Sequence, residues 1–307
     1  MQQSTSNILL VRPSNFIFNA ETAVSNSFQN DLTNHNAVTI SKKALDEFEN
    51  FATMLQEKGI NVFIINDTEF PQKPDAIFPN NWVSFHADGT IILYPMHAPN
   101  RRNERRNDII DEIKEKFTVN NVIDLSGHEK ENKFLEGTGS IIFDHINKLA
   151  YACISPRTDK DLFIKVADLL KYKPVYFYSY DKKGKEIYHT NVMMCIAENF
   201  AVICLESISN EDEKKAVIKS FTETRHQIID INFEQMNHFA GNMLALKTSH
   251  NKDILALSQS AFNILTRVQT KAIEKFCEMV PLPIHTIETV GGGSARCMIA
   301  EIFLPRK

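Results

Sequence analysis

The chain has 307 residues, 43% of them hydrophobic, with 34 basic and 38 acidic side chains and a formal net charge of −4. That length exceeds the usual size of a single hydrophobic core, so two domains or one repeat-built domain are both open. The slight acidity speaks against the broad basic surface that holds nucleic acid or anionic membranes.

The first apolar run, 8–11, is far too short for the core of a secretory signal. No stretch approaches the ~20 apolar residues that span a bilayer. The five cysteines, Cys153, Cys195, Cys204, Cys277 and Cys297, are odd in number and include no Cys-x-x-Cys pair. This argues against a disulfide framework or a zinc site and fits a reducing cytoplasm. No His-Glu-x-x-His pair occurs among the ten histidines, so no metal and no other cofactor is expected.

In chain order, the apolar periodicity predicts helices over 39–58, 101–117, 158–171, 210–223 and 259–278. The first has Thr39 and Ser41 as candidate caps, an apolar face of Leu45, Phe48, Phe51, Ala52 and Leu55, and Gly59 as its stop. Pro281 ends the last. Each helix leads to a short strand: 61–65, 122–125, 174–178, 228–231 and 283–287. Pairs of further strands come between, at 76–85 with 90–95, 140–143 with 148–154, 192–197 with 201–205, and 241–246 with 254–257. The unit repeats every 50 to 60 residues or so. No Pro/Gly/Ser-rich linker interrupts it. The expectation is one α/β domain over 1–307, built from five ββαβ-like modules; an ordinary mixed-sheet sandwich is the alternative.

Four places could carry chemistry. Cys297 follows Gly291-Gly292-Gly293-Ser294-Ala295-Arg296, where small residues let backbone approach a ligand and Arg296 could favour a thiolate. A lone cysteine is otherwise a small core residue, which is the reading preferred for the other four. His189, in Tyr188-His189-Thr190-Asn191, stands before an apolar run and could be an acid or base for a thiol enzyme; taken alone, the surface-residue reading is preferred. Glu136, in Phe134-Leu135-Glu136-Gly137-Thr138-Gly139, could orient His189, or be a solvated loop acid. The segment from Asn100 to Arg106 holds four arginines at a predicted helix start, where the dipole disfavours them. One of them could grip a carboxylate as a fork.

Taken in order, six segments resemble the guanidino-group-modifying superfamily of arginine deiminases, dimethylarginine hydrolases, amidinotransferases and dihydrolases. They are Pro74-Asp75-Ala76-Ile77-Phe78-Pro79-Asn80-Asn81, Ala98-Pro99-Asn100-Arg101-Arg102-Asn103-Glu104, Leu135-Glu136-Gly137, Ser155-Pro156-Arg157-Thr158, Tyr188-His189-Thr190-Asn191 and the glycine-rich loop ending in Cys297. Within the superfamily the chain is most similar to the citrulline utilization hydrolase group. The resemblance implies the pentein fold, five ββαβ modules around a pseudo-fivefold axis. It implies Cys297 as nucleophile, His189 as acid/base, Glu136 as its carboxylate partner, Asp75 at the nitrogen end of the substrate, and Arg101 and Arg157 on the α-carboxylate.

Two positions depart from the arginine deiminases, which have Asp where this chain has Asn81 and Asn191. Asn keeps an acceptor and adds a donor, which suits the carbonyl of a ureido group better than a guanidinium. The expected reaction is therefore citrulline to ornithine, carbon dioxide and ammonia through a covalent cysteine intermediate. An arginine dihydrolase or deiminase would share these residues, and dihydrolases also carry such an Asn. A non-catalytic pentein binding module is the alternative of another class. The expected partner is a small amino acid, with no nucleic acid and no membrane; a homo-oligomer is compatible with this reading.

Overall fold

The computed structural model describes residues 2–30 and 37–307. Its strands form five three-stranded sheets, one per expected module, so the fold is the pentein. In each sheet the central strand runs antiparallel to an inner neighbour and parallel to an outer one. The second module sets Thr90–Leu93 between Val83–Phe85 and Asn121–Asp124. The third sets Leu149–Cys153 between Ile142–Asp144 and Lys173–Phe177. The fourth sets Phe200–Ile203 between Met194–Ile196 and Gln227–Asp230. The fifth sets Asp253–Ser258 between Leu244–Lys247 and Glu278–Leu282. The first joins the chain ends, with Asn7–Arg12 between Ala300–Glu301 and Asn61–Asn66.

A parallel pair cannot be closed by a tight turn, so each module crosses over through a helix. These are Ala37–Glu57, Asn107–Lys116, Lys160–Leu169, Glu211–Glu223, and the pair Gln259–Ile264 and Arg267–Glu274. The first buries Ala44, Phe48, Phe51, Ala52 and Leu55 against Ile8 and Leu10 of its own sheet. Gly59, at φ +82, ends it in a Schellman turn, with Gly59 N–H on Gln56 O and Ile60 N–H on Leu55 O. No helix among the described residues is long and apolar enough to cross a membrane. All five cysteines are free thiols.

The departures from expectation have local causes. The helix expected over 101–117 is a 3-10 turn, Pro99–Glu104, then an α-helix from Asn107. A 3-10 turn eclipses residues three apart, which stacks Arg101 on Glu104. The helix expected over 259–278 breaks at Thr266, whose side chain forms a capping box with Gln269 and starts a second helix. The strand expected at 283–287 lies at Glu278–Leu282 instead, and His285–Gly291 is helical. Thr39 and Ser41 lie inside the first helix rather than capping it. The expected strands at 76–85, 140–143, 192–197 and 241–246 each begin as a turn and become extended only in their second half. The strands Asn7–Arg12 and Ala300–Glu301 were not expected; they are too short and too far apart in sequence to read as partners.

The inner strands surround the axis. At one end of it a cavity holds His86 and His145, both buried, with His86 Nε2 2.7 Å from Ser84 Oγ and His145 Nδ1 2.7 Å from Tyr172 Oη. Burial pushes His86 down to about 4 and His145 down to about 3, against 6.5 for a free imidazole. Between those values the unfolded chain takes up protons that the folded chain refuses, so stability is full above pH 6.5 and is lost as pH falls toward 4. Thermal melts should show Tm falling across that interval, with a shallower fall in the His86→Gln/His145→Gln double variant. Equal slopes in wild type and variant would contradict the assignment.

Candidate active site

Each module enters its inner strand through a short turn, and the five turns converge at the other end of the axis. Pro79–Asn81, Gly137–Ser140 and Thr190–Met193 are three of them. Residues 239–242 and 294–298 are the other two, each closed by backbone hydrogen bonds, as from Asn242 N–H to Phe239 O and from Cys297 N–H to Ser294 O. This symmetry brings Asn81, Glu136, His189, Asn191, Asn242 and Cys297 together from five distant stretches of sequence.

Cys297 is 3% exposed. Its Sγ accepts from Asn191 Nδ2 at 3.3 Å and from Asn242 Nδ2 at 3.2 Å. Its turn is anchored by Ser294 Oγ donating to Glu288 Oε1 at 2.6 Å. The expectation for Arg296 fails. Its guanidinium turns away from the sulfur and donates to Ile299 O and Glu301 Oε2 beside the cavity at the opposite end of the axis. Residues 296 and 297 are consecutive in a tight turn, so their side chains leave in different directions.

Glu136 is completely buried, which rules out the solvated-acid alternative. Its Oε1 accepts the His97 N–H at 2.9 Å, and its Oε2 lies 2.7 Å from His189 Nε2, 3.5 Å from Arg157 Nη1 and 4.0 Å from Arg101 Nη1. Burial works to raise this carboxyl, but Arg157, His189 and Arg101 together hold it well below the usual carboxylate range. It is therefore the anionic partner of the pair. Burial pushes His189 down to about 4 although Glu136 opposes the shift, leaving a neutral imidazole whose Nε2–H points at Glu136.

Asp75 Oδ2 accepts from Asn19 Nδ2 at 2.7 Å and Thr22 Oγ1 at 3.2 Å. Burial raises the Asp75 carboxyl against the pull of Arg101. Asp75 Oδ1, Asn81 Nδ2 and Asn191 Oδ1 are buried without a hydrogen-bond partner among the described residues. Buried polar atoms are rarely left so. The Asn81 amide cannot simply turn over, because its Oδ1 accepts from Arg101 Nη1 at 2.8 Å.

The two arginines expected on a substrate carboxylate both have protein partners. Arg101 places its fork on Glu104, with Nε and Nη2 each at 2.8 Å. Arg157 donates from Nε and Nη2 to Ser25 Oγ and from Nη2 to Thr22 O, and its guanidinium lies 4.7 Å from the Tyr188 ring centre. Both still line the pocket, with Asp75, Asn81, His189 and Cys297. Residues 19–30 lie across it, held by Asn26 Nδ2 on Gly292 O and by Asn30 N–H on Thr289 O.

Glycines make these approaches possible. A Cβ on Gly139 would stand 2.4 Å from Asn81 Nδ2 and 2.9 Å from His189 Nδ1. Gly139→Ala is therefore expected to displace both side chains, costing about 1–3 kcal/mol of stability as an overpacked core does and cutting kcat more than the lost folded fraction explains. Activity per folded molecule, with Tm measured alongside, checks this; unchanged kcat would show that the site tolerates the shift. Gly291, Gly292 and Gly293 line the pocket with Cys297, and Gly291 and Gly293 also pack on the Phe78 ring, where a Cβ would stand 2.9 Å away.

Sequence reasoning missed Asn242, Glu104, and the covering residues Asn19, Thr22 and Asn26. Asn242 had a usable signal: it precedes an inner strand, as do Asn81, Asn191 and Cys297.

The chain matches the family of N,N dimethylarginine dimethylhydrolase, eukaryotic, over residues 12–304. No curated relative matches it. Its fold is similar to the substrate-bound N-terminal domain of a mutant ArgZ, an arginine dihydrolase from the ornithine-ammonia cycle in cyanobacteria, at TM-score 0.75 and 15% identity, covering 97% of this chain and 98% of that one. Unliganded AgrE gives TM-score 0.75 and 16% identity over 98% of this chain but 40% of its own. A dimethylarginine dimethylaminohydrolase variant, as an adduct with S-methyl-L-thiocitrulline, gives TM-score 0.64 and 15% identity over 96% and 98%.

Proposed function

The chain belongs to the N,N dimethylarginine dimethylhydrolase, eukaryotic, family of hydrolases that act on C–N bonds of guanidino groups, and from that premise we propose that it hydrolyses citrulline to ornithine, carbon dioxide and ammonia, with Cys297 as nucleophile. The observation that carries the citrulline reading is the Asn81 amide. Arg101 fixes its oxygen, so its Nδ2 is an open donor in the pocket. A ureido oxygen satisfies that donor, whereas a guanidinium, which has only donors, leaves it unpaired. Asp75 Oδ1 and Asn191 Oδ1 are open acceptors for the ureido N–H groups.

In this reading Cys297 Sγ attacks the ureido carbon. His189, neutral and held at Nε2 by Glu136, takes up the released proton at Nδ1. The imidazolium so formed is stabilised by Glu136 and passes the proton to the nitrogen that leaves as its C–N bond breaks. Water, losing a proton to the same Nδ1, then attacks the sulfur-bound carbon, and the C–S bond breaks to free the thiolate. That leaves a carbamic acid, whose remaining C–N bond breaks as its nitrogen takes the acid proton and carbon dioxide departs, so one water is consumed for each ornithine, carbon dioxide and ammonia formed. Arg157, which lines the pocket, serves the substrate carboxylate, while Arg101 serves Asn81.

A second reading, an arginine dihydrolase, draws on ArgZ and on the two open acceptors, which a guanidinium would also satisfy. Ammonia release from citrulline, arginine and agmatine, and ammonia or methylamine release from methylated arginines, separates the two. Citrulline should be turned over with the highest kcat/KM. Preference for arginine would replace the first reading by the second, and no release from any of them would remove both.

A further inference from the structure

We infer that Asn242 is a positioning residue for the reacting thiol, a second amide donor that holds the Cys297 sulfur and favours its anionic form. The inference rests on Cys297 being the nucleophile of the proposed reaction. Asn242 is completely buried. Its Oδ1 accepts the Arg296 N–H at 3.0 Å, and its Nδ2 donates to Asn191 O at 2.9 Å and faces Cys297 Sγ at 3.2 Å. Turning the amide over would set oxygen against the Asn191 carbonyl and NH₂ against the Arg296 N–H. The orientation is therefore fixed, and a donor always faces the sulfur.

Asn191 Nδ2 approaches the same sulfur at 3.3 Å. A thiol is a weak acceptor that carries one proton, while a thiolate accepts readily. Two converging N–H groups thus stabilise the form that attacks, at the site from which it attacks. The backbone is shaped for this contact. A Cβ on Gly241 would stand 2.4 Å from Val192 O, so only a glycine lets the turn of the fifth module lie on that of the fourth. Arg296, whose N–H orients the amide, is the residue before the nucleophile, so donor and sulfur are held by one loop.

The test is alkylation of Cys297 by iodoacetamide across pH, followed by peptide mass spectrometry, in the whole chain and its Asn242→Ala and Asn242→Asp variants. Asn242→Asp keeps the shape and the oxygen that accepts from Arg296, but turns a carboxylate oxygen toward the sulfur. Both profiles should move to higher pH, further for Asp. The Asp variant should label about tenfold or more slowly at neutral pH, the scale of losing a hydrogen bond to a charged group. With substrate, kcat should fall while KM changes little. Wild-type profiles in folded variants would overturn the assignment, and so would failure of both variants to fold, which would make Asn242 structural. Alkylation needs no substrate. A wild-type Cys297 that labels no faster than Cys153 would instead overturn the reading of Cys297 as nucleophile.

Discussion

Cys297→Ser is expected to lower kcat by at least about a thousandfold while leaving Tm nearly unchanged. The site is arranged for sulfur. Two amide donors face Sγ at 3.2 and 3.3 Å, and the nearby imidazole has been pushed down to about 4. A serine hydroxyl would have to give up a proton far harder to remove than that of a thiol before it could attack. Serine is slightly smaller than cysteine and would accept the same two hydrogen bonds, so the fold has no reason to suffer. The buried cysteines of the core give the contrast. Burial pushes Cys153 up to about 11 and Cys195 and Cys204 up to about 12. Serine in those places should reduce stability and spare turnover. Single-turnover kinetics and melting curves on all four variants check the pattern. A Cys297→Ser enzyme that retained more than a tenth of wild-type kcat would end the covalent mechanism.

The site was legible in the sequence where its residues carry unusual chemistry for their surroundings. Glu136 between Leu135 and Gly137, and Cys297 behind three glycines, both stand out, and both are buried in the pocket or on its edge. Amides do not stand out. Asn242 looks like any loop asparagine until the fivefold repeat is used to align its turn with those of Asn81, Asn191 and Cys297. The protein partners of the arginines do not stand out either. Arg101 stands at the start of the helix expected over 101–117, which gives no cue to its partner; the 3-10 turn makes Arg101 and Glu104 a closed, buried unit. Burial pushes Glu104 up to about 7 even beside Arg101, so enclosure works against the charged pair that the two hydrogen bonds hold together. Of the fold, the five-unit period was readable because each crossover helix has a clear apolar face. Strand starts were not, because residues that make the turns, such as Asn80 and Asn81 or Val192 and Met193, sit in runs that read as continuous strand.

Asn81→Asp should move the ratio of kcat/KM for arginine over citrulline by about a hundredfold toward arginine. The structure makes this change cleaner than one at Asn191, whose amide touches the Cys297 sulfur. At position 81 the side-chain oxygen that accepts from Arg101 at 2.8 Å would remain where it is. The atom that changes is the open one, from an N–H donor to a carboxylate oxygen. A guanidinium would gain a charge-assisted hydrogen bond there, worth about 1.5–3 kcal/mol. A ureido group would lose the donor that met its oxygen and face negative charge instead, a penalty of similar size in a desolvated pocket. Even at the lower end the two effects sum to about 3 kcal/mol, or two powers of ten. The added charge near His189 and Cys297 also slows chemistry on every substrate, which is why the ratio and not the rate is the measurement. Neighbouring Arg101 limits that common loss by pairing with the new carboxylate. If the ratio stays within threefold of wild type, the open amide of Asn81 does not recognise the substrate, and the arginine dihydrolase reading takes precedence.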